Sequence, residues 1–209
     1  MRRQYGSGRL DEADLAPDWA TQLGRWLAEA VASGQVSEPN AMVLCTATPD
    51  GRPSARTVLL KGYDEAGLVF FTNYGSRKGR ELAANPQVSC LFPWLALERQ
   101  VVVCGVAGKV SRAESAAYFA SRPRGARLGA WASPQSAVIA SRGELTEAVA
   151  AAAERFGPHG EVPLPEHWGG FRIVPETVEL WQGRPDRLHD RLRYRWTTDA
   201  GWLVERLAP

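Results

Sequence analysis

The sequence predicts a mainly β fold with inserted helices, of the α+β class, in which short antiparallel strands curl toward a barrel. Three observations carry this reading. Short apolar, β-branched runs are separated by tight-turn signals such as Pro49-Asp50-Gly51. Helix-like stretches interrupt that pattern between residues 112 and 156. Strand-like segments then resume after a proline-rich loop, GPHGEVPLPEHWGG. Short strands joined by tight turns, with helices inserted, point to an antiparallel barrel.

Each element has a local reason. Residues 1–17 begin polar and glycine-containing and are expected to form a mobile N-terminal segment ahead of one domain, 18–209. Asp18 is placed to cap a helix, and Leu23, Trp26, Leu27, Ala30 and Val31 follow at helical spacing. Residues 41–48 (AMVLCTAT) read as a strand, and 54–61 (SARTVLLK) as a second beyond the turn. A turn over 62–67 leads to a third strand, 68–72 (LVFFT). Ser76 is placed to cap a short helix, RKGRELAAN, that Pro86 ends. Residues 88–94 and 100–110 continue the β pattern. Helices are expected near 112–121, 125–131 and 144–156, the last with Leu145, Val149, Ala152 and Phe156 as its apolar stripe. Segments 171–174 and 178–181 read as two further strands, and 194–196 with 202–206 as a closing hairpin.

Composition sets limits on function. At 209 residues, 44% hydrophobic and 23% charged, the chain suits a single globular core. A pI near 8.5 is too mildly basic to argue for nucleic-acid binding. Cys45, Cys90 and Cys104 are far apart in apolar contexts and read as buried thiols in a reducing compartment. Acidic LDEADL follows Arg2-Arg3 where an export signal would need an apolar run, and no apolar stretch reaches membrane-spanning length. A cytoplasmic protein is the expectation. HExxH, the Walker loop and the dinucleotide fingerprint are absent, and the three histidines are too scattered for a metal cluster. His159 and His167 read as surface or packing residues.

Three places concentrate chemistry. At the Ser76 helix start, Arg77 and Lys78 occupy a first turn whose dipole disfavours cations, a conflict that a bound anion would relieve. Arg56 and Lys61, five apart on the preceding strand, would face opposite sides. The run YFASRPRG places Tyr118, Arg122 and Arg124 around a stiffening proline, as at a second anion site. The segment from Trp181 to Arg195 carries five arginines against two aspartates, a net +3 where the whole chain is +2, with His189 among them. Trp181 beside it offers a wall for a planar ligand. Each cationic stretch is also compatible with a solvated helix or a charge-guarded strand edge. Taken together, two anion sites and an aromatic wall fit a phosphorylated aromatic cofactor with a phosphorylated substrate.

The motifs RTVLLKG (56–62), FFTNYGSRKGREL (70–82), RQV (99–101), YFASRPRG (118–125), GAWASPQS (129–136), HWGGFRIVPETVELWQGRPDRLHDR (167–191) and the terminal ERLAP resemble the pyridoxamine/pyridoxine 5′-phosphate oxidase family, in order from about residue 10 to the end. The resemblance implies an FMN-binding split β-barrel, working as a homodimer whose active sites draw on both chains. It implies FMN contacts from Arg56, Thr57, Val58, Leu59, Leu60, Lys61, Phe71, Thr72, Arg77, Lys78, Gln100, Gln135, Ser136, Trp181 and Arg191. Lys61, Tyr118 and Arg122 correspond to the substrate-phosphate clamp, and Arg187, Leu188 and His189 to the segment holding the pyridine ring, with Arg187 and His189 as catalytic residues. The implied reaction oxidises pyridoxamine or pyridoxine 5′-phosphate to pyridoxal 5′-phosphate with dioxygen as acceptor and hydrogen peroxide as product. No metal, nucleic acid or membrane is implied.

The chain departs from the family pattern where SRPRxSQxGAW usually supplies a serine: Ala126 stands there, followed by Arg127. Leu180, where an aromatic is more usual, is a lesser change. Ala126 keeps open an FMN-dependent paralogue acting on a dihydrophenazine-like substrate, whereas Lys61, Tyr118, Arg122, Arg187 and His189 favour the phosphorylated pyridine. A non-catalytic flavin- or nucleic-acid-binding module is the third reading. Asp186 and Asp190, set among the arginines, argue against a phosphate-backbone stripe.

Overall fold

The computed structural model describes residues 5, 6 and 8–209. Among these, nine strands form one sheet in which every pairing is antiparallel. In chain order the elements are α1 (Trp19–Ser33), β1 (Ala41–Ala47), β2 (Pro53–Leu59), β3 (Gly62–Asp64), β4 (Gly67–Asn73), α2 (Arg77–Ala84), β5 (Gln87–Trp94), β6 (Arg99–Lys109), α3 (Arg112–Ser121), α4 (Arg124–Ala132), α5 (Arg142–Phe156), β7 (Trp168–Gln182), β8 (Asp190–Thr197) and β9 (Gly201–Arg206). The strands lie in the order β2-β1-β5-β6-β7-β4-β3, and β8 and β9 continue from β7.

Alternation creates the barrel. In β1 and β5 every second residue is buried, so one face of each strand faces the core. Leu44 of β1, Phe92 of β5, Val103 of β6, Ile173 of β7 and Phe70 of β4 are fully buried in a single cluster, which requires the sheet to curl round it. Burial of each such side chain contributes about 1.5–3 kcal/mol. Helix α1 closes one end with Trp19, Leu23 and Trp26, and its N-terminus is set by Asp18, which accepts from the Thr21 amide at 2.7 Å. A second cluster of Phe119, Leu128, Ala152, Val162 and Trp168 joins α3, α4 and α5 to the start of β7.

Several expectations need correction. Residues 171–174 and 178–181 are parts of one strand of 15 residues, β7. Pro175 does not break it because the ladder with β6 shifts register there, opposite Cys104/Gly105. Gly105 is obligatory at that bulge, since a Cβ would sit 2.0 Å from the Val174 carbonyl oxygen. The turn over 62–67 contains the short strand β3, hairpinned to β4. Only Cys90 is fully buried; Cys45 and Cys104 are half-buried. Of the segment 1–17, residues 1–4 and Ser7, and with them the Arg2-Arg3 pair, lie outside the described residues. Packing begins well before residue 17: Leu10 and Ala16 are buried, and the Leu10 amide donates to Asp190 Oδ2 at 3.0 Å. Among the described residues no helix is long and apolar enough to cross a membrane.

Candidate active site

A cleft of about 610 Å³ opens between the end of β2, the middle of β4, the α2 start and the α3–α4 junction. That is within the range of small-molecule sites. The end of β2 contributes Thr57, Val58 and Leu59, followed by Lys61; β4 contributes Phe71 and Thr72. Lys78 enters from α2, whose Ser76 cap accepts from the Gly79 amide. Gly79 lets this turn approach β4 closely, because a Cβ would lie 2.3 Å from the Tyr74 carbonyl oxygen. Tyr118, Arg122 and Ala126 come from α3 and α4, and Gln135 from the following loop.

One wall is a stack of aromatic rings. Phe71 lies 3.9 Å from Tyr118 with planes 14° apart and 5.6 Å from Trp168 at 10°. The Arg122 guanidinium lies over the Trp168 ring at 4.7 Å. Its Nη1 is buried with no hydrogen-bond partner among the described residues, and burial lowers the pKa of Arg122 against the opposing influence of Tyr118. Lys78 is buried too; its ammonium donates to Thr72 Oγ1 at 3.0 Å and to Gln135 Oε1 at 3.4 Å. Burial, and then the charge of Arg56, pull its pKa down. Among the described residues no carboxylate pairs with Lys78 or Arg122. Two desolvated cations without counter-charge are costly unless an anion joins them.

The remaining expected site residues are elsewhere. Leu60 is buried in the barrel core. Arg56 does not line the cleft; it donates to Leu44 O at 3.1 Å and Thr46 Oγ1 at 2.6 Å, near enough to Lys78 for its charge to act there. Arg77 is bound to Glu81 at 2.8 Å. Ser136 is exposed, with a left-handed φ of 70°. Arg124, read as an anion ligand, instead ties α4 to the end of α5 through Gly157 O and through Gly160 O at 2.5 Å. Arg127 is absent from the cleft lining, so Ala126 leaves its position there without a hydroxyl.

Gln100, Trp181, Arg187, Leu188, His189 and Arg191 form a second group that does not line this cleft. Gln100 pairs with Trp181 across β6 and β7, and the Trp181 and His189 rings lie 4.6 Å apart. His189 Nδ1 accepts from the Arg184 amide at 3.1 Å, which leaves Nε2 as the proton-bearing nitrogen of the neutral ring. The arginines of this segment are mostly neutralised within the chain. Arg191 forks onto Glu179 at 2.8 and 3.1 Å, which raises its pKa; Arg193 and Arg195 share Glu205; Arg184 faces Asp190 at 3.5 Å. Arg187 is exposed and has no side-chain partner among the described residues. It follows Asp186 in a turn where both residues take left-handed φ, 56° and 65°. Strain of this kind, about 1–3 kcal/mol per residue, collects at functional sites.

Sequence reasoning missed Glu81 and Trp168 as site residues. Arg77 and Glu81 are four apart on a helix, a spacing that signals a side-chain pair. Trp168 was visible in HWGG, but its place in the stack depends on how α3 lies over β7.

A curled antiparallel sheet with a cationic, small-molecule-sized cleft at its flank defines the chain as a protein of the split β-barrel class. A solved structure of a pyridoxamine 5′-phosphate oxidase-related, FMN-binding protein from Nostoc punctiforme shares this fold, with a TM-score of 0.73 at 19% identity over 94% of this chain and 99% of that one. The family model described as pyridoxamine 5′-phosphate oxidase matches residues 28–156, and that of the pyridoxine 5′-phosphate oxidase C-terminal dimerisation region matches 168–209. The chain belongs to the pyridoxamine 5′-phosphate oxidase family. Relatives called pyridoxine/pyridoxamine 5′-phosphate oxidase from Salinispora arenicola and Streptomyces avermitilis are 59% and 58% identical, each covering 100% of this chain and 95% of the relative. The structure of PhzG from Burkholderia lata, in complex with tetrahydrophenazine-1-carboxylic acid, has a TM-score of 0.89 at 33% identity, covering 98% of this chain and 100% of that one.

Proposed function

We propose that this chain is an FMN-dependent oxidase that converts pyridoxamine or pyridoxine 5′-phosphate to pyridoxal 5′-phosphate. The observation that carries this reading is buried Lys78 together with half-buried Arg122, whose Nη1 is fully buried, in one aromatic-walled cleft with no carboxylate partner among the described residues. Those donors fit two phosphate groups, one belonging to the cofactor and one to the substrate. Arg56, Arg77 and Lys78 would hold the FMN phosphate, with Thr57–Lys61, Phe71, Thr72, Gln135 and Ser136 along the rest of the molecule. Lys61, Tyr118 and Arg122 would hold the substrate phosphate. When bound, the cofactor would supply acceptance of a hydride from the substrate's exocyclic carbon as the attached nitrogen or oxygen loses a proton, with dioxygen as final acceptor and hydrogen peroxide as product; for the amine, water then adds to the imine and ammonia leaves.

The chain's own task is placement. The phosphate clamp fixes one end of the substrate, and Arg187 with His189 fixes the ring, which converts an encounter into an aligned reaction. His189 presents Nε2–H because the Arg184 amide occupies Nδ1. Arg187, without a side-chain partner among the described residues and set in a strained turn, is free to meet the substrate. Since Gln100, Trp181, Arg187, His189 and Arg191 lie away from the cleft, the reading places them over the cleft of a partner copy in a homodimer. Exposed Trp196, Leu203 and Val204 on β8 and β9 support an apolar contact there.

Oxygen uptake by purified, yellow holoprotein tests the proposal. Turnover with pyridoxamine 5′-phosphate or pyridoxine 5′-phosphate is expected, and none with either would sink it. Ala126 and the likeness to PhzG favour a dihydrophenazine-type substrate as second reading, which the same assay decides. Ala126→Ser is expected to lower KM for pyridoxamine 5′-phosphate about fivefold or more with kcat little changed, since the added hydroxyl supplies one hydrogen bond of about 1–2 kcal/mol to the phosphate. Steady-state kinetics on both proteins measure it.

A further inference from the structure

Glu81 is an anion standing among cations that the proposed function assigns to another anion. Its side chain is 6% exposed. Oε1 accepts from Arg77 Nε at 2.8 Å. Oε2 accepts from Thr46 Oγ1 and Ser54 Oγ, both at 2.5 Å, and faces an Arg56 terminal nitrogen at 3.4 Å. Burial alone would raise its pKa, but the bonds from Ser54, Thr46 and Arg77 outweigh it and hold the pKa at about 2. The carboxylate is therefore ionised throughout the neutral range.

A carboxylate beside a phosphate site weakens anion binding by repulsion, so its presence there requires an opposing gain. The gain is positional. Arg56 is carried by β2 and Arg77 by α2, and Glu81 is the group that touches both. Two guanidinium groups on long, flexible side chains would otherwise repel each other and keep rotamer freedom that a ligand must then remove. Charge also matches. Arg56, Arg77 and Lys78 bring three positive charges and Glu81 one negative, leaving +2 against a phosphate monoester that carries close to −2 at neutral pH.

We propose that Glu81 is a positioning residue that locks Arg56 and Arg77 into one unit beside Lys78 and sets that cluster's charge for a cofactor phosphate. The proposal rests on the reading of this cluster as the FMN-phosphate site. It concerns the phosphate alone, and this makes it separable from a general effect on the fold.

The test uses full-length apoprotein titrated with FMN and with riboflavin, which lacks the phosphate, following flavin fluorescence. Wild-type protein is expected to bind FMN far more tightly than riboflavin. Glu81→Gln keeps the shape and the accepting oxygen but removes the charge. It is expected to weaken FMN about tenfold or more while leaving riboflavin within about twofold. Equal weakening of both flavins would mean a structural role and overturn the proposal, as would FMN binding that is unchanged or tighter. A wild type that does not distinguish the two flavins would instead remove the phosphate-site reading, and the proposal with it. Ser54→Ala, which deletes one hydroxyl shared by Glu81 and Arg56, is the second variant should Glu81→Gln fail to fold. It is expected to give an FMN-selective loss of about threefold, and a loss shared by riboflavin, or none, overturns the proposal.

Discussion

Arg187→Ala is expected to lower turnover by about two orders of magnitude while flavin content stays at the wild-type level. The other arginines of its segment are held by Glu179, Glu205 or Asp190, so their removal would strand a carboxylate. Arg187 has no such partner among the described residues, and its loss breaks no ion pair. Alanine can occupy the same left-handed backbone at much the same cost as arginine, so the turn should persist. What disappears is a charge placed to meet substrate. Stopped-flow reduction by pyridoxamine 5′-phosphate, alongside the flavin-to-protein absorbance ratio, measures both quantities. Arg193→Ala, which loosens only the Glu205 pair, should retain turnover. If Arg187→Ala emerged flavin-free, the division between cofactor and substrate residues would be wrong.

The second large effect is expected at Arg122. Arg122→Met keeps a long side chain over Trp168 but removes the buried charge. KM for phosphorylated substrates is expected to rise by about a hundredfold, the loss of one or two charge-assisted hydrogen bonds at about 1.5–3 kcal/mol each. Stability of the substrate-free protein should move the other way or not at all. Nη1 is buried without a partner among the described residues, so the guanidinium is a destabilising presence until an anion arrives. Thermal melts with and without inorganic phosphate separate the two effects: phosphate should raise the Tm of the wild type and leave that of the variant nearly unmoved. A variant that melts lower without ligand, with KM unchanged, would show that Arg122 serves packing alone.

The fold was legible in the sequence where the information is local. Apolar, β-branched runs marked β1, β5 and β6, and Asp18 and Ser76 marked two helix starts because a cap acts within three residues. What was misread depended on a partner distant in the chain. Pro175 looked like a strand end because only its pairing with Gly105 makes it tolerable. Excess charge around Arg191 and Arg193 dissolved because β7 and β9 bring Glu179 and Glu205 alongside β8, 12 residues away in each case. Glu81 escaped because Arg56, Thr46 and Ser54 precede it by 25 residues or more. The motifs supplied the candidate residues and, through the resemblance, a site drawn from two chains, but not which of those residues line the cleft of one chain.

Strand β7 turns that separation into a length. Trp168, in the cleft wall, begins it, and Trp181, beside His189, stands one residue from its end. Thirteen residues of extended chain rise about 40 Å along the strand, a longer path than one flavin–substrate pair. Under the proposed function the strand works as a spacer, and the two halves of a site meet by symmetry between copies. Inactivity in such a design is exchangeable: Arg122→Met and Arg187→Ala chains, each nearly silent alone, would on mixing form heterodimers in which one site inherits both lesions and the other inherits neither. Recovery of activity from two inactive preparations, approaching a quarter of wild type at equal mixing, is the signature that this spacing imposes.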